Sequence, residues 1–152
     1  MIKQFEKLSA EEISILLDAP VYITILISGA DGKIDEAEKD WAIKLADLRR
    51  FAGDIELRDY YKTVDDEFVK KLEEQISFLP KDLIARNQAL TTELSKTNAV
   101  LAKIDQAFAG HIYKSWISFA GHVARSSGGV LGFGSISPAE KEVIGLSMIQ
   151  QP

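Results

Sequence analysis

Val21-Tyr22-Ile23-Thr24-Ile25-Leu26-Ile27 is the most apolar stretch of the chain, and its β-branched residues would suit a strand. No second run of that kind occurs in the 152 residues, and a lone strand has nothing to pair with. The run is therefore expected as a buried helix, and the whole chain as all-α. Seven residues also fall far short of the roughly 20 needed to cross a hydrocarbon core. The first residues, Met1 to Lys7, lack the apolar core of a secretory signal, so the expected compartment is the cytoplasm. Peripheral association with a membrane complex stays open.

Three short segments carry the chemistry of a helix start. Ser9-Ala10-Glu11-Glu12 has a hydroxyl at N-cap and a carboxylate three residues on, and should open a helix ending before Pro20. Asp35-Glu36-Ala37-Glu38 opens a second, with Ala37, Trp41, Leu45, Leu48 and Ala52 as its apolar face and Gly53 as its stop. Ser137-Pro138-Ala139-Glu140 opens the last, with proline at the favoured first position, running to about Ile149. Between them, residues 54–64 suggest a short helix or turn around Leu57 and Tyr60. Asp65 or Asp66 should cap a helix carrying Phe68, Leu72, Ile76 and Leu79 up to Pro80. From Asp82 to about Ser126 an apolar stripe runs through Leu83, Leu90, Leu94, Leu101, Phe108, Ile112, Phe119 and Val123. That is too long for one ordinary helix, so a break is expected near Gly110. Ser127 to Gly134, with four glycines, is a loop.

Two of these starts also resemble each other. Residues 32–40 align without gaps with residues 134–142, and Gly, Ile, Ala, Glu and Lys recur at five of nine places. The chain thus reads as a single helical domain over 1–152. One helix–loop–helix repeat spans about 9–52, a second about 111–150, and a helical insert at about 54–110 separates them. Two repeats are fewer than a solenoid needs, which favours a compact bundle of about 6–8 helices with pseudo-twofold symmetry.

The loop of the first repeat has oxygen donors at a spacing that a hard divalent cation can use. With Gly32 at the invariant sixth position of an EF-hand loop, Asp31 falls at the fifth, Asp35 at the ninth and Glu38 at the twelfth. The Lys33 carbonyl would supply the seventh ligand, but Ile27 and Gly29 stand at the first and third positions and bring no carboxylate. A site for calcium or magnesium at Asp31, Asp35 and Glu38 would therefore need water or another element to complete it. In the second copy Phe133 and Ser137 replace two of the acids, leaving Glu140 alone, as a relic of the first. Asp35 and Glu38 also suit helix capping by themselves, whereas capping has no need of Asp31.

Charge points the same way. The net charge is −5, which argues against a nucleic-acid partner. The excess is local: residues 31–40 carry five acids and two lysines, and residues 54–74 eight acids and four bases. The absence of cysteine excludes a thiol nucleophile, a thiolate metal site and a disulfide framework.

Ala30-Asp31-Gly32 followed by Glu38, behind an apolar helix, resembles the signature of TerB-like domains of tellurite-resistance and stress-response proteins. The segment from Ala124 through Gly134, then Ser137 and Glu140, is similar to the later segment of some members. The resemblance covers about 9–52 and 111–150 and is weak over the central insert. It implies an all-helical bundle with pseudo-twofold symmetry and an acidic, metal-binding loop in which Asp31 and Glu38 match the motif. It also implies a non-enzymatic module that works through a protein partner in a stress-linked assembly at the inner membrane face. Phe133 stands where a second aspartate would, which speaks against two symmetric metal sites.

Other candidates carry less. Gly128 to Gly134 lacks the GK[ST] ending and the strand context of a phosphate loop. His111 and His122 lie three helical turns apart, roughly 16 Å, too far to share a metal. Tyr60-Tyr61 and Trp116 have the spacing of core residues. A metal-dependent helical enzyme and a metal-free adaptor of a chaperone or membrane complex remain as alternative functions.

Overall fold

The computed structural model describes residues 2–126 and 136–152, and among these the chain is helical throughout, with no strand. After a short 3-10 helix at Lys3–Phe5 the elements are α1 (Ala10–Ser28), α2 (Glu36–Ala52), a 3-10 turn at Ile55–Leu57, α3 (Arg58–Phe78), α4 (Leu83–Ser95), α5 (Thr97–Leu101), α6 (Gln106–Arg125) and α7 (Pro138–Val143). No helix among the described residues is long and apolar enough to cross a membrane. The glycine-rich loop from Ser127 to Gly134 lies outside the described residues.

α1 is the central helix. It packs against α2, α3, α4, α5, α6 and α7, so its C-terminal half is covered on every side. Val21, Ile23, Ile25, Leu26 and Ile27 are all buried, which is why this stretch shows no polar face. Its start is the expected capping box: Ser9 Oγ accepts from the Glu12 N–H at 3.2 Å, and the Glu12 carboxylate accepts from the Ser9 N–H at 2.9 Å.

Pro20 does not end this helix; α1 runs through it. A proline there cannot donate to the carbonyl of Leu16, four residues back. The buried Tyr60 hydroxyl of α3 supplies that donor instead, at 2.7 Å, and itself accepts from Trp116 Nε1 of α6 at 2.9 Å. Three helices are tied together at the α1 carbonyl that Pro20 leaves without its usual partner.

Other boundaries also move. α3 begins at Arg58, so Asp65 and Asp66 lie inside it and cap nothing; Arg50 of α2 holds Asp65 at 2.9 Å. The long stripe breaks at Lys96 and again at residues 102–105, not at Gly110. There Asp105 caps α6 by accepting from the Phe108 N–H, and Gly110 sits within that helix. The stripe itself is buried from Leu90 to Val123 as expected. On α2 the inward face is Glu38, Ala42, Leu45 and Ala46, while Ala37 and Ala52 are exposed and Leu48 is half exposed. That is a rotation from the expected face, which shared only Leu45 with it. α7 stops at Val143 rather than near Ile149. Beyond it Leu146 takes a positive φ of 48°, and Leu146 and Ile149 turn into the core. Asn98 of α5 holds this tail at both ends, donating to the Met148 carbonyl and accepting from the Gln150 N–H.

Tyr60, Tyr61 and Trp116 are core residues, as their spacing implied. Tyr60 stacks edge-on against Phe5 and Tyr61, with centroids 6.3 and 5.0 Å away.

Candidate functional site

The acidic loop joins the end of α1 to the start of α2, and glycine shapes it at two places. Gly32 has φ +107°, a conformation that side chains resist. At Gly29 a Cβ would stand 2.6 Å from Arg86 Nη2, so the approach of that guanidinium requires the missing side chain. Arg86, on α4, is buried and donates through Nη2 to the carbonyls of Gly29 at 2.8 Å and Gly32 at 3.1 Å. Sequence reasoning passed over Arg86, although a signal existed. It lies three residues after Leu83 and four before Leu90, a cation on an apolar stripe.

Asp31 is exposed, and its Oδ1 accepts from the Lys33 N–H at 3.2 Å, closing a turn of its own loop. Asp35 is the N-cap of α2, accepting from the Glu38 N–H at 2.9 Å. Its own N–H donates to the Ser28 carbonyl, so the Glu38 side chain is not needed to complete a capping box. Glu38 turns inward instead and is 2 % exposed.

There it meets Glu140. That residue occupies the same third position of α7, behind N-cap Ser137, and is also buried. The two carboxyl groups lie within hydrogen-bonding reach of each other, close enough for Glu140 to act on Glu38 both by charge and by hydrogen bonding. Two carboxylates cannot share such a bond without a proton between them. Burial first, then the charge of Glu140 and that hydrogen bond, then Asp35 and Asp31, push the Glu38 carboxyl up to about 9. Among the described residues, both Oε2 atoms are buried and take no hydrogen bond from any further group.

The residues expected to converge thus do so only in part. Glu38 enters the interior, while Asp31 and Asp35 act on it through charge and are engaged locally with backbone N–H groups. Glu140, expected to stand alone, is its direct partner. Among the described residues no group of three His, Cys, Asp or Glu side chains is gathered as a metal would require. The chemistry at hand is a buried pair of neighbouring carboxyl groups, beside an Arg86-braced loop.

The histidines stand apart from it. His111 Nδ1 is 2.9 Å from Asp54 and 3.6 Å from Glu56, and the Asp54 hydrogen bond raises its pKa. His122 is lowered, by burial first and then by the charges of Arg49 and Arg125. Comparison with protein-family models, with curated proteins and with solved structures finds no match for this chain.

Proposed function

We propose that the chain is a non-enzymatic, TerB-like interaction module in which a divalent cation can replace the proton shared by Glu38 and Glu140. The observation that carries this reading is the buried carboxyl pair with an orphan oxygen on each member. An unpaired buried acceptor costs about 1–3 kcal/mol, and a cation would satisfy both at once. Glu38 and Glu140 would be the direct ligands. Asp35 and Asp31 would add negative charge and hold water in the remaining coordination positions. Two carboxylates completed by water is the usual habit of magnesium, whereas calcium would draw more protein oxygens inward. The cation's role is structural: it would clamp the start of α7 to the start of α2 and so stiffen the surface offered to a protein partner. The equivalent places of Glu38 and Glu140 in the two aligned segments, and their meeting inside the molecule, also favour the pseudo-twofold repeat.

The test is titration of chelator-treated protein with calcium and with magnesium at pH 8. The expected result is a saturable rise in Tm, with amide shifts centred on residues 29–38 and 138–143. Because the cation displaces a proton, its affinity should climb with pH up to about 9. Glu140→Gln should abolish the response and Asp31→Asn should weaken it. Unchanged spectra at millimolar cation would overturn the cation reading, and turnover of a substrate by the purified protein would overturn the non-enzymatic one.

A further inference from the structure

Near the far end of α2 a cavity of about 430 Å³ opens between that helix, the 3-10 turn, α3 and α6. Its volume lies within the ordinary range of small-molecule sites, about 300–1,000 Å³. Arg49 dominates the lining. Its Nη1 donates to the Tyr61 hydroxyl at 2.8 Å and to the Ser115 carbonyl at 2.7 Å, and its Nη2 donates to Ser118 Oγ at 3.1 Å. The guanidinium lies over the rings of Tyr61 and Phe119, 5.1 and 5.4 Å from their centroids. Every one of these partners is neutral.

Among the described residues no carboxylate is paired with Arg49, and residues 127–135 contain no aspartate or glutamate. Three of its five N–H groups are taken, leaving one on Nε and one on Nη2. A fixed guanidinium with donors to spare and no counter-ion is the arrangement that recognises an oxyanion. The rest of the lining agrees. Lys114 has no ion-pair partner among the described residues, and Asp54, the one acid in the wall, is held by His111. Ser118 accepts from Arg49 and its hydroxyl hydrogen remains available. The cavity wall is therefore cationic in a chain whose net charge is −5.

We propose that this cavity binds a small oxyanion, a carboxylate or phosphate group, through Arg49 with help from Ser118 and Lys114. Tyr61 and Ser115 hold the guanidinium in place, so that little order is lost on binding. The site lies 11 residues along α2 from Glu38, roughly 16 Å, and is independent of the cation reading.

The experiment is an amide-shift titration of the full chain with inorganic phosphate and, separately, with succinate, at constant ionic strength set by sodium chloride. The expected result is saturable shifts at residues 49–57 and 114–118 with millimolar affinity. Arg49→Lys keeps the charge but not the fork, and should weaken binding about tenfold. Should that variant lose its fold, Ser118→Ala and Lys114→Met, both altering exposed side chains, should each weaken binding several-fold. Saturation by phosphate alone assigns the phosphate class, by succinate alone the carboxylate class, and by both a general oxyanion site. No saturable shift with either anion overturns the proposal, as does binding that is unchanged in all folded variants.

Discussion

Removing one oxygen atom from Tyr60 tests the account of how α1 passes through Pro20. The Tyr60 hydroxyl donates to the Leu16 carbonyl at 2.7 Å and accepts from Trp116 Nε1 at 2.9 Å, and all three residues are fully buried. Tyr60→Phe keeps the ring and its edge contacts but strands one acceptor and one donor. Each stranded group costs about 1–3 kcal/mol, so a loss of about 3 kcal/mol is expected for the pair. Pro20→Ala restores the backbone N–H that the helix lacks. In the natural background that N–H meets a carbonyl already engaged. In the Tyr60→Phe background it becomes the sole donor to Leu16 and should restore about 1–1.5 kcal/mol more than it does alone. The assay is urea unfolding of the four proteins of the cycle, followed by far-UV circular dichroism and tryptophan fluorescence. A Tyr60→Phe cost below about 0.5 kcal/mol, or a Pro20→Ala effect equal in the two backgrounds, would refute the reasoning.

Three further outcomes are expected. With divalent cations chelated, folding stability should fall as pH rises from about 5 towards 9. The Glu38 carboxyl is raised to about 9 when folded, so the folded state retains a proton that the unfolded chain has lost; two pH units within that window amount to about 3 kcal/mol, and Glu38→Gln should remove this part of the slope in denaturant melts. Arg86→Met should leave the Gly32 carbonyl without its side-chain donor and the Gly29 carbonyl with the Gly32 N–H alone, and faster amide hydrogen exchange confined to residues 29–35 would report it; unchanged exchange would count against the brace. Gly32→Ala must hold φ +107° with a side chain and should cost about 1–2 kcal/mol in thermal unfolding, although nothing crowds a Cβ there.

The proposed cation and oxyanion sites lie at opposite ends of α2, so the failure of one would be separable from the failure of the other. The acidic end depends on burial: Glu38 and Glu140 are ordinary N3 glutamates until the core closes over them. At the cationic end the one acid of the wall, Asp54, is taken by His111 and leaves Arg49 unpaired. An arginine on the last turn of α2 finds only tyrosine and serine oxygens, where an aspartate would have made an unremarkable salt bridge.

Much of the fold could be read in order along the chain. The caps at Ser9, Asp35, Asp82 and Ser137 act within three residues of themselves, so local composition suffices to recognise those helix starts, whereas the cap at Asp105 lies inside an unbroken apolar stripe and gives no such signal. The errors share a cause. Pro20 was expected to stop a helix because its missing N–H is a local fact, whereas the Tyr60 hydroxyl that compensates for it comes from 40 residues away. The face of α2 was misplaced because tryptophan and leucine outweigh alanine in any hydropathy pattern. The crowded side of α2 against α1 and α3 admits Ala42 and Ala46 and leaves Leu48 half exposed.

The candidate site divides in the same way. Sequence alone determined the turn at Gly32, the cap at Asp35 and the likeness of residues 32–40 to 134–142, because each is a matter of neighbouring atoms or of spacing. Tertiary structure alone decided that Glu38 and Glu140 meet in the interior, that Arg86 braces the loop, and that Arg49 has no carboxylate partner among the described residues. Each of those depends on which groups come to lie together away from water, where electrostatic interactions are strong and an unpaired group is costly.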